Sequence, residues 1–83
     1  MHTQDWNIRI TIDEDDDHTH ARAFLSSRDG VTVHAVGDAR RKPSDAPIPE
    51  IGEELAVARA LYALADQLMD VASQDVANLA HPV

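Results

Sequence analysis

The first half of the chain alternates between apolar and polar positions, which is typical of half-buried β-strands. Within residues 5–13 the apolar positions are Trp6, Ile8, Ile10 and Ile12. Within residues 19–27 the same face carries Thr19, Ala21, Ala23 and Leu25, and within residues 31–40 it carries Val33, Ala35, Gly37 and Ala39. Alternate side chains share one face of a strand. We therefore predict a three-stranded antiparallel meander, with small third-strand side chains that let a helix lie close to the sheet.

The segments between the predicted strands contain turn-forming residues. Five consecutive acidic residues, 13–17, follow the first strand, and Arg28-Asp29-Gly30 is a hairpin signal because glycine accepts a positive φ. Residues 41–49 contain three prolines, Pro43, Pro47 and Pro49, and the turn-forming pair Ser44-Asp45. Proline blocks regular strand pairing, so we predict a loop there.

The second half of the chain predicts one long helix over residues 50–79. Pro49 suits the first helical turn, and Glu50, Glu53 and Glu54 place negative charge at the positive end of the helix dipole. Asp75 falls within the apolar side, so a break near Ser73, with Ser73-Gln74-Asp75 capping a second short helix, is an open alternative. The fold class is α+β, β-β-β-α, in a single domain over residues 1–83.

The apolar side of this helix is wider than one sheet face requires. Val57, Leu61, Leu64 and Leu68 form its centre, and Leu55, Tyr62 and Met69 widen it to about half the circumference, beyond the ~100° stripe of a surface helix. We therefore predict a homodimer whose candidate interface residues are Leu55, Arg59, Tyr62 and Met69. The alternatives are an exposed alanine-rich flank and an Arg59 that simply faces solvent.

Composition narrows the classes of function. The chain has 83 residues, no cysteine and a formal charge of −8 from seven basic and fifteen acidic side chains. Without cysteine there is no disulfide framework, thiolate metal site or cysteine nucleophile, which fits a reducing cytoplasm. No apolar run approaches the ~20 residues of a membrane span, and the N-terminal residues do not resemble a signal peptide. We expect a cytoplasmic protein that does not enter membranes.

The candidate chemistry is sparse. His18 and His20 lie beside Asp15, Asp16 and Asp17 and offer metal-ligand types, but no third ligand has a fixed spacing, so we expect an acidic turn without metal. The sequence contains no Ser-His-Asp order and no glycine-rich phosphate loop. We expect no cofactor and no enzymatic activity.

Basic residues suggest a different role. Arg9 and Arg22, together with His20 and Phe24, are predicted on the sheet face away from the helix, and Arg40, Arg41 and Lys42 follow the third strand. A basic, partly aromatic sheet face is one way to bind single-stranded RNA. The alternative is the ordinary polar side of a one-sided sheet, which the overall negative charge favours.

Four segments together resemble an actinobacterial family of small proteins of unknown function. They are Ile10-Thr11-Ile12-Asp13-Glu14, residues 19–25, Gly37-Asp38-Ala39-Arg40-Arg41-Lys42-Pro43 and, most specific, residues 49–61. The resemblance implies a fold like that of double-stranded-RNA-binding domains, a homodimer, and a likeness to ribosome hibernation promoting factors. It also implies induction in dormancy and a role in translation during stress.

Two hypotheses for function follow. The first is a dimeric accessory protein of stress or dormancy that contacts the ribosome or its RNA through Arg9, Arg22, Arg40, Arg41 and Lys42. The second is an acidic adaptor that binds an unidentified protein and never contacts nucleic acid.

Overall fold

The computed structural model describes residues 1–27, 30, 32–42, 44 and 48–80. Its elements are β1 (Asn7–Glu14), β2 (His18–Ser26), β3 (Thr32–Arg40) and α1 (Pro49–Ala80). The strands form one antiparallel sheet in the order β1-β2-β3. The predicted β-β-β-α fold is thus confirmed. The predictions that involve Arg28, Asp29, Val31, Pro43, Asp45, Pro47 and His81 fall outside the described residues.

The β1–β2 turn is stabilised by the acidic run that ends β1. The N–H of Asp15 donates to the carbonyl of His18 at 3.0 Å, which closes the turn. The Asp15 carboxylate accepts from the N–H of His18 at 3.1 Å, a local bond that aspartate makes readily in turns. Arg41 N–H donates to the carbonyl of Asp17 at 2.7 Å, so the end of β3 is tied to the same turn.

The core is thin because most of its side chains are small. The buried apolar residues are Ala21, Ala23, Leu25, Val33, Ala35, Ala39, Ala56, Ala60 and Leu64. Only Leu25, Val33 and Leu64 among them are larger than alanine. At Gly37 an added Cβ would overlap Ala56 O and Ala60 N, so the helix backbone lies directly against β3. The predicted close approach over small third-strand residues is therefore confirmed.

The apolar face of β1 is left largely uncovered. The helix packs on β3 and β2 and barely touches β1. Trp6, Ile8, Ile10 and Ile12 consequently keep 51%, 49%, 36% and 38% of their surface exposed. A helix about 10 Å wide covers two strands spaced ~4.8 Å apart but not a third. The alternation identified the correct face of β1, yet the fold of one chain does not bury it.

The helix also extends well past the sheet. Its 32 residues rise by about 48 Å, whereas nine-residue strands span only about 30 Å. It continues through Ser73 as one element, so the alternative of a second short helix is wrong. Beyond the half-buried Leu68, every residue from 69 to 79 is exposed.

A carboxyl pair joins the β1–β2 hairpin to the start of the helix. A hydrogen bond to the Glu53 side chain raises the pKa of Glu14, and partial desolvation and the negative charges of Glu53 and Glu50 raise it further. A shared proton holds such a pair together, whereas two ionised carboxylates repel each other. The contact is therefore favourable at low pH and unfavourable near neutrality.

We expect Gly37→Ala to destabilise the fold by about 3 kcal/mol, because the new methyl group meets helix backbone that cannot rotate away. Urea denaturation measures the change. Gly30→Ala is the control, since Gly30 has φ of 78° but open space around it. It should cost only about 1 kcal/mol of left-handed strain. Equal losses for the two variants would contradict the close helix–sheet contact.

We expect Glu53→Gln to raise the melting temperature slightly at pH 7, because it removes the repulsion with Glu14 and leaves a neutral hydrogen-bonding partner. Because folding raises the pKa of Glu14, the stability from its protonated form is complete below the ordinary value of 4.5. That stability is lost as the pH rises through the raised value. The gain should therefore vanish near pH 3. Glu54→Gln, in the same helical turn, is the charge-matched control and should give no gain.

Candidate interaction surface

A groove runs between β1 and the helix. We call it the β1 groove; its volume is about 280 Å³, and it is lined by Trp6, Ile8, Leu25, Leu61, Leu64, Ala65 and Leu68. Every one of these side chains is apolar. The groove exists because the helix stops short of β1 while the alternating pattern continues into that strand. Among the described lining residues, the indole N–H of Trp6 is the only polar side-chain group, so the groove is suited to another apolar surface.

The helix presents apolar residues on three of its four sides. One side, with Ala56, Ala60 and Leu64, is buried on β2 and β3. The next side, with Leu61, Ala65 and Leu68, faces the β1 groove. The outer side, opposite the sheet, carries Leu55, Tyr62 and Met69, which are 45%, 77% and 66% exposed. An apolar surface therefore continues from β1 around the helix to its outer side.

The fourth side of the helix is polar. It carries Arg59, Asp66 and Asp70, which are exposed. The Arg59 guanidinium donates from Nη1 to the carbonyl of Asp38 at 2.7 Å, so this side faces the free edge of β3. Of the four predicted interface residues, Leu55, Tyr62 and Met69 thus lie together. Arg59 points away from them, towards β3.

On the other face of the sheet, each of the three strands contributes one side chain to a row that crosses the strands. The register places Arg9 opposite Phe24 and Phe24 opposite His34. The Arg9 guanidinium carbon lies 5.2 Å from the centre of the Phe24 ring. The rings of Phe24 and His34 stack with 6.0 Å between centroids and 24° between planes. We call these three residues the stacked row; Arg9 was predicted as an RNA contact, whereas His34 was not among the predicted contacts.

The other predicted RNA-contacting residues are dispersed. Arg22 lies on the same face but is paired with Asp13, Nη2 to Oδ2 at 3.1 Å. Arg40 is also on this face, opposite His18, about 20 Å along the sheet from Arg9. Arg41 instead donates to the carbonyl of Asp16 at 3.4 Å, and the exposed Lys42 follows it. The structure brings only part of the predicted basic set onto one face, and the basic residues that it describes do not form a continuous patch.

His18 and His20 converge on one carboxylate that sequence reasoning missed. Asp38 Oδ1 lies 2.8 Å from His18 Nε2 and 2.7 Å from His20 Nδ1. The hydrogen bond from His20, and then the bond from His18, hold the pKa of Asp38 below its ordinary value. The described part of the chain contains no cluster of three or more side chains arranged to hold a metal ion. The strand register, which sets Asp38 opposite His20, was the missing information.

A larger cavity of about 480 Å³ lies at the opposite end of the sheet, where the helix begins. Its polar side is formed by the β1–β2 turn, with Asp15, Asp16 and Asp17, and its apolar side includes Ile48 and Ile51. Leu55 reaches it from the helix. Within the described residues, no helix is long and apolar enough to cross a membrane.

Comparison with known proteins identifies the family. The chain is 45% identical over 74 residues to the uncharacterized protein Rv2632c of Mycobacterium tuberculosis, which covers 89% of this chain and 78% of that protein. It is 42% identical over 78 residues to the uncharacterized protein Mb1767 of Mycobacterium bovis, with coverage of 94% and 82%. The crystal structure of Rv2632c superposes with a TM-score of 0.89 at 40% identity, covering 100% of this chain and 98% of that one. Residues 4–83 match the family described as Rv2632c-like, and the chain belongs to that family.

Proposed function

We propose that this protein is a non-enzymatic, homodimeric accessory protein of the cytoplasm that acts through surface contacts. The observation that carries the proposal is the continuous apolar surface from β1 around the helix. Its large side chains are Trp6, Ile8, Ile10, Ile12, Leu55, Leu61, Tyr62 and Met69. At their observed exposures they present on the order of 800 Å², the area that each partner buries in a standard interface.

Stability supports the same conclusion. Soluble monomers rarely expose contiguous apolar patches beyond a few hundred Å². The core of one chain contains only three buried apolar side chains larger than alanine, among the described residues. Small domains with so little core commonly gain stability by oligomerisation. A second copy that covers the exposed surface would supply that stability without a cofactor.

We expect the wild-type protein to show twice the 9.1 kDa monomer mass in multi-angle light scattering at micromolar concentration. Ile10→Asp should give a monomer, because it places a charge in the centre of the exposed β1 face. Val36→Asp is the matched control: Val36 is 47% exposed on the opposite sheet face, so this variant should remain dimeric. A monomeric wild-type protein would overturn the homodimer.

A second candidate function is contact with the ribosome or its RNA during stress or dormancy. The family likeness to hibernation factors suggests it, and the stacked row favours it. A nucleobase can stack on an exposed aromatic ring, and an arginine beside that ring can meet the phosphate backbone. Phe24 is half-buried between the Arg9 guanidinium and the His34 ring, so the exposed His34 offers the ring to a base and Arg9 offers the charge.

The charge of the protein sets the expected strength of such a contact. The net charge of −8 opposes a polyanion, and Asp13 and Asp38 lie on the same face as the stacked row. Binding should therefore be weak, confined to single-stranded bases and sensitive to salt. The competing function is an adaptor that binds an unidentified protein, for which the same acidic surface is suitable.

We expect Phe24→Ala to weaken binding of a short fluorescent single-stranded RNA roughly tenfold at low salt, because it removes the ring that holds Arg9 and His34 in one row. Fluorescence anisotropy gives the affinity, and co-sedimentation with ribosomes in sucrose gradients of stressed cells tests the cellular contact. Val36→Ala, on the same face but without a ring, is the control. If wild type binds neither RNA nor ribosomal particles, the adaptor function is favoured and the ribosomal one is excluded.

A further inference from the structure

We infer that the cavity at the start of the helix binds an aliphatic primary ammonium group, with its charge held by Glu14 and Glu53 and its stem lying on apolar side chains. We call this space the helix-start cavity. Its volume is about 480 Å³, within the range of roughly 300–1,000 Å³ that is typical of ligand sites. It lies at the opposite end of the sheet from the β1 groove, so the inference is independent of the proposed homodimer.

One wall of the helix-start cavity is a row of three side chains, one from each strand. The register sets Glu14 opposite Thr19 and Thr19 opposite Ala39. Alternation places all three on the sheet face that points towards the helix. The first turns of the helix, with Gly52 close to Thr19, form the facing wall. A carboxyl group, a hydroxyl group and a methyl group therefore lie side by side across the sheet.

Thr19 supplies the observation that points to a ligand. Only 8% of its surface is exposed, and its hydroxyl makes no hydrogen bond to any residue that the structure describes. Buried hydroxyl groups normally have a partner, because an unpaired one is destabilising. A Cβ added to Gly52 would lie 2.8 Å from Thr19 Oγ1, so the absent side chain leaves the space beside the hydroxyl open. A polar atom bound in the cavity can therefore pair with Thr19.

A pair of carboxyl groups lies beside this hydroxyl. Glu14 is the cross-strand neighbour of Thr19, and Glu53 follows Gly52 in the helix. The hydrogen bond to Glu53 raises the pKa of Glu14, and desolvation and the charges of Glu53 and Glu50 add to the effect. Two carboxylates this close repel each other near neutrality unless a proton or another cation lies between them. A bound ammonium group would remove that repulsion.

The oxygen atoms of these three side chains match the donors of a primary ammonium group. Such a group has three N–H donors and no acceptor. One donor would go to Glu14, one to Glu53 and one to the Thr19 hydroxyl, which accepts it. A metal ion is a poorer match, because the described part of the chain has no cluster of three or more side chains arranged to hold one.

The rest of the lining suits an aliphatic stem. Ile48, Ile51 and Leu55 line the cavity and are 47%, 50% and 45% exposed. Pro49 and Ala39 complete its apolar part. An alkyl chain attached to the ammonium group would cover these side chains and remove them from water. The ligand class is therefore an alkylammonium ion, which is either a free amine or the side chain of a lysine.

The start of this helix is poorly suited to the anion that many helix starts bind. Pro49 has no N–H to donate. The N–H of Ile51 donates to the carbonyl of Ile48 at 3.2 Å. Neither residue can therefore donate its N–H to an anion in the cavity.

The charged residues of the lining also favour a cation. Its basic members are Arg40 and Arg41. Arg40 alternates onto the outer face of the sheet, and Arg41 donates to the carbonyl of Asp16 at 3.4 Å. The acidic members are twice as many: Glu14, Asp15, Asp16 and Asp17. A lining with this excess of carboxylates attracts an ammonium ion and repels an anion.

Titration of the folded protein with hexylammonium at pH 7 tests the site. We expect saturable shifts of the Thr19 and Gly52 amide signals in NMR spectra, with a Kd on the order of 1 mM for so small a ligand. Hexyltrimethylammonium has the same charge and chain but no N–H donor. It should therefore bind about tenfold more weakly than hexylammonium.

Substitutions in the site provide the matched comparison. Glu14→Gln should weaken hexylammonium binding about tenfold, because it removes one of the two carboxylates. It also removes the repulsion with Glu53, so the variant should remain folded. Thr19→Val keeps the shape but loses the hydroxyl, and it should weaken binding about fivefold. Glu54→Gln removes the same charge from the turn that contains Glu53 and should change the affinity by less than about twofold.

A lysine derivative identifies the source of the ammonium group. If N-acetyl-lysine methylamide binds more tightly than hexylammonium, the site accepts a lysine of a partner protein. If it binds more weakly, the site accepts a free amine.

Three results would overturn the inference. The first is the absence of any shift at Thr19 and Gly52 with hexylammonium at about 10 mM. The second is equal binding of hexyltrimethylammonium and hexylammonium, and the third is an equal loss of affinity in Glu14→Gln and Glu54→Gln. Either of the last two would show that only general charge attraction is present. None of the three bears on the proposed homodimer, which light scattering tests separately.

Discussion

The structure depends on a mismatch between one helix and three strands. The helix backbone lies against Gly37 on β3, and its neighbouring side chains pack on β2. The helix is too narrow to cover β1 as well. Close packing over small residues brings the helix and the sheet together, but each small residue buries only a small apolar area. The exposed isoleucines of β1 and the apolar outer side of the helix follow from that one placement. The exposed apolar surface is thus a direct consequence of how the core is built.

Much of the fold is readable from local patterns. The alternation in residues 19–27 predicts the buried face of β2, because Ala21, Ala23 and Leu25 all lie in the core beneath the helix. The proline-rich loop followed by an acidic first turn predicts the helix start. The limit is illustrated by β1: its pattern is as regular as that of β2, yet burial depends on how far a helix extends sideways. That distance is tertiary information, which no single strand contains.

The candidate sites were harder to predict from the sequence for a related reason: they depend on which strand positions lie opposite each other. Arg9 and Phe24 are fifteen positions apart, and His34 is ten positions further on, so only the strand register reveals that they form one row. The meeting of His18 and His20 with Asp38 has the same origin. Arg59 shows the same limit on the helix. A helical wheel shows that it lies off the apolar side but cannot show that it reaches a strand carbonyl. Contacts between strands, rather than residue types, decide these sites.

The bond from Arg59 to the carbonyl of Asp38 has a consequence for solubility at high concentration. An unoccupied strand edge is a template on which further copies can add, and repeated addition leads to fibrils. On β3 the arginine occupies one of the acceptors that an added strand would need, and its charge is poorly tolerated between stacked chains. Sheet growth is thereby hindered on one side. With one side blocked, pairing through the other edge would stop at two copies, so such growth would end in a finite particle instead of a filament.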